Sequence, residues 1–312
     1  MAKKTTYQPA RKKKLPEYKS FKLSRRIDPD KLKPLPSFRQ LWKDTWLFLW
    51  KFRVKMLTFL AVYTVLYALL VRGLTGFDLD IGIFRDELIN AAGGDVNAII
   101  TSLTLYGSLL SSLTATTDEI TNFYQLSILV ICSIAFIWLI RKLHGRTTDA
   151  SVRSAFYEGM TPLVPFLGVL LLMVIMLLPV AIGSLLLATA QSSAAITGQA
   201  EIMVLSLVMI LTAVLSAYLL AGSVFAFYIV TLPRTRPTVA VRSSLRLLRI
   251  HRWRVMSKVI GFYIALVVLG FLLVLPFIWW LPRYAEIAFF IMGCGSFAVM
   301  HTFLYKLYRS ML

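Results

Sequence analysis

Acidic side chains are scarce in this sequence, and cysteine is scarcer still. Its 312 residues hold 15 Asp and Glu against 34 Lys and Arg, so that only 16% are charged. A soluble domain ordinarily carries about a quarter of its residues charged. The two cysteines, Cys132 and Cys294, both lie in long apolar runs. They exclude a disulfide framework or a cysteine-rich metal site and read as small polarizable core residues. The three histidines, His144, His251 and His301, are scattered, and no His-Glu-x2-His run occurs. Gly-x4-Gly-Lys-Ser/Thr and Gly-x-Ser-x-Gly are missing as well, so no nucleotide, zinc or serine-hydrolase chemistry is expected. The chain reads as non-catalytic and free of cofactors. Central charges, which an ion-coupled carrier needs, are also missing from the apolar runs. Glu201, Glu286 and His301 lie near run ends and read as interfacial. No cleavable leader is apparent, because the first apolar run begins only near Val54, after a long polar tail. The first span is expected to serve as an uncleaved anchor.

What the sequence has in abundance is apolar length: 58% of its residues are hydrophobic. Runs occur near 54–75, 123–143, 162–190, 202–232, 256–281 and 285–308. The first of them, at about 1.5 Å per residue, is roughly 33 Å long, enough to cross the ~30 Å hydrocarbon core. Pro179 and Pro276 fall inside two runs and should kink them. The segment Asp95–Thr114 is shorter, with Ile99, Leu103, Tyr106, Leu110 and Leu113 on one helical face and Ser and Thr on much of the rest. It reads as an amphipathic helix on the outer surface, not a span. The expected fold is therefore all-α: a polytopic bundle of six transmembrane helices with cytoplasmic interfacial amphipathic helices.

Charge orients that bundle. With six spans, 31 of the 34 Lys and Arg fall on one side and only Arg72, Arg85 and Arg283 on the other. The positive-inside rule then puts both termini in the cytoplasm of a multi-pass cell-membrane protein, with 78–122 outside. Residues 1–36, rich in Lys, Arg and Pro, read as a disordered polybasic tail, and 37–312 as the membrane domain. Few aromatics accompany the tail's charge, so a bilayer surface with anionic lipids is a better partner for it than nucleic acid. Ser37 is placed to cap a short helix over about 38–52, in which Trp42, Trp46 and Trp50 form one stripe suited to the headgroup layer.

Two basic loops resemble one another. Ala150-Ser151-Val152-Arg153-Ser154-Ala155-Phe156 precedes the third run, and Val239-Ala240-Val241-Arg242-Ser243-Ser244-Leu245 precedes the fifth. With the Trp-striped helix they suggest three parallel units, near 37–146, 147–236 and 237–312, each an interfacial helix followed by two spans. The stretch Pro237–Arg249, followed by Arg252-Trp253-Arg254, resembles a segment of a broad prokaryotic six-helix family. That family includes the membrane domain fused to some glycerophosphodiester phosphodiesterases, together with stand-alone members of unknown function. The resemblance implies architecture over about 37–312. The soluble catalytic barrel is not within these residues, so it implies no phosphodiesterase activity.

The candidate binding residues are Arg242, Arg246, Arg249 and Trp253. The arginines share a helical stripe at i, i+4 and i+7, beside Val241, Leu245 and Leu248. Such a helix would set arginines on lipid phosphates and leucines in the acyl boundary. Seven of the eight basic residues in this loop are Arg. Topology alone would accept Lys, whereas a guanidinium binds phosphate or carboxylate as a fork. The expectation is an anionic lipid or a membrane-protein partner, in a scaffold or assembly role. A permease-like carrier of a lipid or other amphiphile is the alternative, marked by a continuous polar cavity. Small residues, Ala213, Ala217 and Ala221 in the fourth run and Gly261 and Ala265 in the fifth, are expected to line helix contacts. A cysteine at Ser108 should react with an impermeant label only from the side opposite the termini. Reaction from the cytoplasmic side alone would overturn this topology.

Overall fold

The computed structural model describes residues 35–73, 81–112, 118–145, 150–192, 199–233, 235–249 and 252–312. The expected disorder of the tail lies outside these residues. Pro36–Leu312 form one compact unit, with helices and no strand among the described residues. Six helices are long and apolar enough to cross a membrane, as expected: Arg53–Arg72, Glu119–His144, Leu163–Ala190, Glu201–Val230, Arg252–Trp280 and Pro282–Ser310.

In chain order the helices are α1 (Phe38–Lys51), α2 (Arg53–Tyr67, ending in a wider turn over Ala68–Arg72), α3 (Ile81–Ala92), α4 (Val96–Ser112), α5 (Glu119–His144), α6 (Val152–Glu158), α7 (Leu163–Ser192), α8 (Gln199–Ser223), α9 (Ala226–Val230), α10 (Pro237–Leu248), α11 (Arg252–Trp280) and α12 (Pro282–Ser310). Local chemistry starts several of them. Ser37 and Ser151 cap α1 and α6 through reciprocal boxes with Gln40 and Ser154. Asp118 caps α5, accepting from the Thr121 amide at 2.9 Å, and Pro237 and Pro282 open α10 and α12. Pro179 and Pro276 sit inside continuous helices. Beside Pro179, the Val180 amide donates to Ser216 Oγ of α8 at 3.2 Å. A neighbouring helix thus serves the backbone next to the proline.

Three short helices, α1, α6 and α10, each precede a pair of spans: α2 with α5, α7 with α8–α9, and α11 with α12. Each packs on the pair before it in cyclic order. α6 lies on the first pair, where Phe156 stacks on Phe59 at 5.2 Å and Gly159 has no room for a side chain against Ala135. α10 lies on the second, where Ser244 Oγ donates to Gly222 O at 2.7 Å and Pro237 fills the space left by Gly168. α1 lies on the third, with Phe38 against Phe303 and Trp42 against Phe262.

The repeated motif occupies matching environments. Arg153 and Arg242 are exposed, Ala155 and Ser244 are fully buried, and Phe156 and Leu245 are half-buried, against Phe59 of α2 and Gly222 of α8. α1 follows the same order with Lys43 exposed, Thr45 fully buried and Trp46 beyond it. A small residue therefore marks the point of closest approach in all three units.

The inner helices are α5 and α12, with 61% and 50% of their most apolar windows buried, against 6% for the fourth span. That fourth span is broken. α8 is largely exposed, while Phe225 and the short α9 turn into the core. Arg141, at the end of α5, holds the end of α9, donating to Thr231 O at 2.7 Å, to Tyr228 O at 3.0 Å and to Thr231 Oγ1. The stripe Ala213-Ala217-Ala221 is not the packing face, since Ala217 is exposed. Ser216, Gly222 and Ser223 are the buried residues, and Gly183 abuts Thr212. Hydroxyls that bond the partner helix displaced alanines from this role.

The segment after α2 departs from its expected position. α3 and α4 form a hairpin, turning at Gly94 with φ of +92°. Phe84, Tyr106 and Leu109 pack with Val274, Ile278 and Phe289 of α11 and α12. Tyr106 donates to Val267 O at 3.1 Å, thirteen residues before the end of α11. At about 1.5 Å per residue that is ~20 Å below the end of the helix. The hairpin thus inserts between spans as well as covering them. Its buried face is Ala98, Ser102, Tyr106 and Leu109, whereas Leu103, read from the sequence as sharing a face with Tyr106, is 67% exposed.

Arg141→Lys should keep the charge and lose the fork. The expected outcome is normal insertion with stability in detergent lowered by about 1.5–3 kcal/mol, the worth of charged hydrogen bonds. A Lys variant that unfolds with the wild type would show that Arg141 serves charge alone.

Candidate functional site

The expected binding helix forms as α10, and the structure settles which side of it is available. Ala240, Val241, Ser244, Leu247 and Leu248 are buried against α7, α8 and α9. The leucine stripe expected in the acyl boundary is therefore committed to the protein, because small residues of α7 and α8 admit it closely. Arg242, Arg246 and Arg249 are exposed, and their guanidinium groups make no hydrogen bond or ion pair with other described residues. Trp253, 77% exposed, stands in the first turn of α11. All four expected residues are thus accessible, with the arginines fixed on one face by a buried opposite side. Arg252 differs: its guanidinium lies 3.1 Å from the Tyr218 ring centroid and donates to Tyr218 O at 2.8 Å.

A second feature was not expected. A groove of about 950 Å³ runs between the first and third units. Trp42, Trp46 and Trp50 of α1 overhang it at the basic end, with Arg53 beside them. Met56 and Leu60 of α2 form one wall. Leu266, Gly270 and Phe277 of α11, with Tyr284, Ile291 and Gly295 of α12, form the other. Tyr106 and Leu110 of α4 reach in from the hairpin. Gly270 makes room for this approach, since a Cβ there would stand 3.2 Å from the Tyr106 hydroxyl and 2.8 Å from Met292 Sδ.

Two lysines counted in the sequence as topology charges hold the roof of the groove. Lys258 Nζ donates to Pro36 O, and Lys306 Nζ to Asp44 O, each at 2.6 Å. Lys306 also stands 5.3 Å from the Phe48 ring centroid. α1 is thereby tied across α11 and α12.

The third feature is a buried polar node. His301, expected at an interface, is 8% exposed and central. Its Nε2 lies 3.2 Å from Ser133 Oγ, and its Nδ1 lies 3.3 Å from the Tyr228 hydroxyl. Phe136 and Phe297 meet the ring edge-on. Ser133, Tyr228 and His301 come one from each unit. Both ring nitrogens are engaged and no metal-binding cluster of His, Cys, Asp or Glu occurs among the described residues. The geometry suits a structural clasp, since neither groove wall includes these residues. Cys132 and Cys294 are buried and unpaired in disulfides.

No protein-family model, curated protein or solved structure matches the chain.

Tyr228→Phe should remove one interhelical bond and cost about 0.6 kcal/mol, the average for such bonds in a membrane protein. His301→Ala should cost several-fold more, because it opens a void, strands Ser133 and leaves the Tyr228 hydroxyl only the backbone carbonyl of residue 301, at 3.4 Å. Unfolding in mixed micelles measures both, and equal losses would remove the clasp from the account.

Proposed function

We propose that this integral membrane protein is non-catalytic and binds anionic lipid at its basic end, in a scaffold or assembly role. The observation that carries the reading is the unpartnered arginine face of α10. A guanidinium with no acceptor among the described residues is matched by lipid phosphate. The rigid backing of Ala240, Ser244 and Leu248 spares the face an ordering cost on binding. In this proposal the basic end is cytoplasmic, as the charge distribution favours, and the α10 segment carries the resemblance to the six-helix family. An anionic surface of a membrane-protein partner could engage the same fork geometry.

A permease-like carrier of a lipid or other amphiphile is the second reading, and the groove beneath α1 favours it. Against it, the groove is apolar along its length and offers no polar route for a headgroup.

Replacing Arg242, Arg246 and Arg249 together by Lys keeps the charge and removes the fork. Insertion should be unchanged, while anionic lipid retained by the protein through purification falls several-fold. Full retention of that lipid, with full complementation of a deletion, would leave the stripe a topological role only.

A further inference from the structure

The groove between α1–α2 and α11–α12 needs an occupant. Protein interiors pack at the density of organic crystals, and a void of about 950 Å³ is far larger than the gaps they tolerate. Its lining between the spans is mostly apolar and suits hydrocarbon. The one hydroxyl that reaches in from the hairpin, Tyr106, is already bonded to Val267 O. Its lips are open: Leu57, Leu273 and Ile291 line it and are 62%, 55% and 54% exposed. In a spanning bundle that opening faces the acyl region of the bilayer.

Dimensions and charge narrow the occupant further. The α12 wall runs from Tyr284 to Val299, fifteen residues apart. At about 1.5 Å per residue this is ~22 Å, longer than half of a ~30 Å hydrocarbon core, so a chain entering from one leaflet fits along it. At the basic end Arg53 is exposed, its guanidinium 5.4 Å from the Trp50 ring centroid, with no hydrogen bond or ion pair to a described residue. Arg39, Lys43 and Lys51 are exposed on α1, where Asp44 is the only acid.

We propose that this groove binds one anionic glycerophospholipid from the basic-side leaflet, an acyl chain lying under the α1 tryptophans and the phosphate on Arg53. The inference rests on the reading that the protein binds anionic lipid. It assigns that binding a second site, distinct from the arginine face of α10. Gly295 is the natural place to block it, because a Cβ there meets nothing within 4 Å. Gly295→Phe therefore fills the groove without colliding with its own wall.

The full chain is reconstituted in vesicles of phosphatidylcholine with phosphatidylglycerol, extracted in mild detergent and weighed by native mass spectrometry. Wild type should keep one phosphatidylglycerol per chain through delipidation. Gly295→Phe should reduce that occupancy at least tenfold. Arg53→Gln should keep a lipid but lose its preference for phosphatidylglycerol over phosphatidylcholine. The triple Arg→Lys variant of α10 should keep the groove lipid. Were Gly295→Phe to misfold, Ile291→Trp, placed on the exposed lip, should give the same loss. A folded Gly295→Phe that retains its lipid, or a wild type that emerges lipid-free or as a dimer closing the groove, overturns the proposal. Loss of all lipid in the α10 variant with full retention in Gly295→Phe would sink the groove while sparing the reading of α10.

Discussion

Everything at the basic end depends on how closely three short helices approach the spans they cover. In a bilayer, one helix gains little by hiding apolar surface from lipid that is equally apolar. Association then rests on close packing and on polar bonds between helices. Thr45, Ala155 and Ser244, each fully buried, are small enough to bring α1, α6 and α10 onto α12, α5 and α8. Because each short helix packs on the preceding pair, every unit is held by the next, and the third is held by the first. A larger residue at any of the three points would lift one helix and open the cycle. Away from this end the constraint relaxes, and the α7–α8 pair extends with most of its surface free.

The His301 clasp follows from the same arrangement. Once the second helix of each pair is drawn inward, Ser133, Tyr228 and His301 meet where three units converge. A histidine there can serve a partner on each side, because its two ring nitrogens point apart. Arg141 repeats the device nearer the surface, binding backbone carbonyls that α9 leaves unmet at its end. These contacts specify which helices lie together, something that uniform aliphatic packing alone would leave degenerate.

Six spans and the arginine face of α10 were legible in the sequence because both depend on local properties. Run length decides whether a helix crosses, and spacing decides which side chains share a stripe. The orientation of α4 was not legible, for a physical reason. Lipid and protein interior are both apolar, so periodicity cannot say which face meets which. Leu103 turned to the outside, while Ser102 and Ala98 turned inward because small residues allow closer contact. The roles of Arg141, Lys258 and Lys306 were likewise hidden, since each acts on a backbone carbonyl distant in sequence. As charges they were counted toward topology, and as hydrogen-bond donors they required the fold. The repeat stood between these cases. Its seven-residue likeness was visible and the third copy was placed by position, but the residue that matches there, Thr45 in place of Ala155 and Ser244, became evident only through burial.

The groove is where the cyclic arrangement departs from its own symmetry. Only the first unit carries an insertion between its two spans, the α3–α4 hairpin. That hairpin is wedged against α11 and α12, with Tyr106 seated at Gly270. Met56 and Leu60 of α2 line the same groove as Leu266 and Gly295, while behind it Tyr63 and Tyr67 pack α2 onto Phe297 and Phe290 of α12. At the other end Lys258 and Lys306 prevent α1 from settling into that space, because they hold its backbone over α11 and α12. A wedge at one end and two pins at the other thus border the groove. Both devices cost packing that a bundle could otherwise have made, and the lysine pins also hold α1 on the third pair.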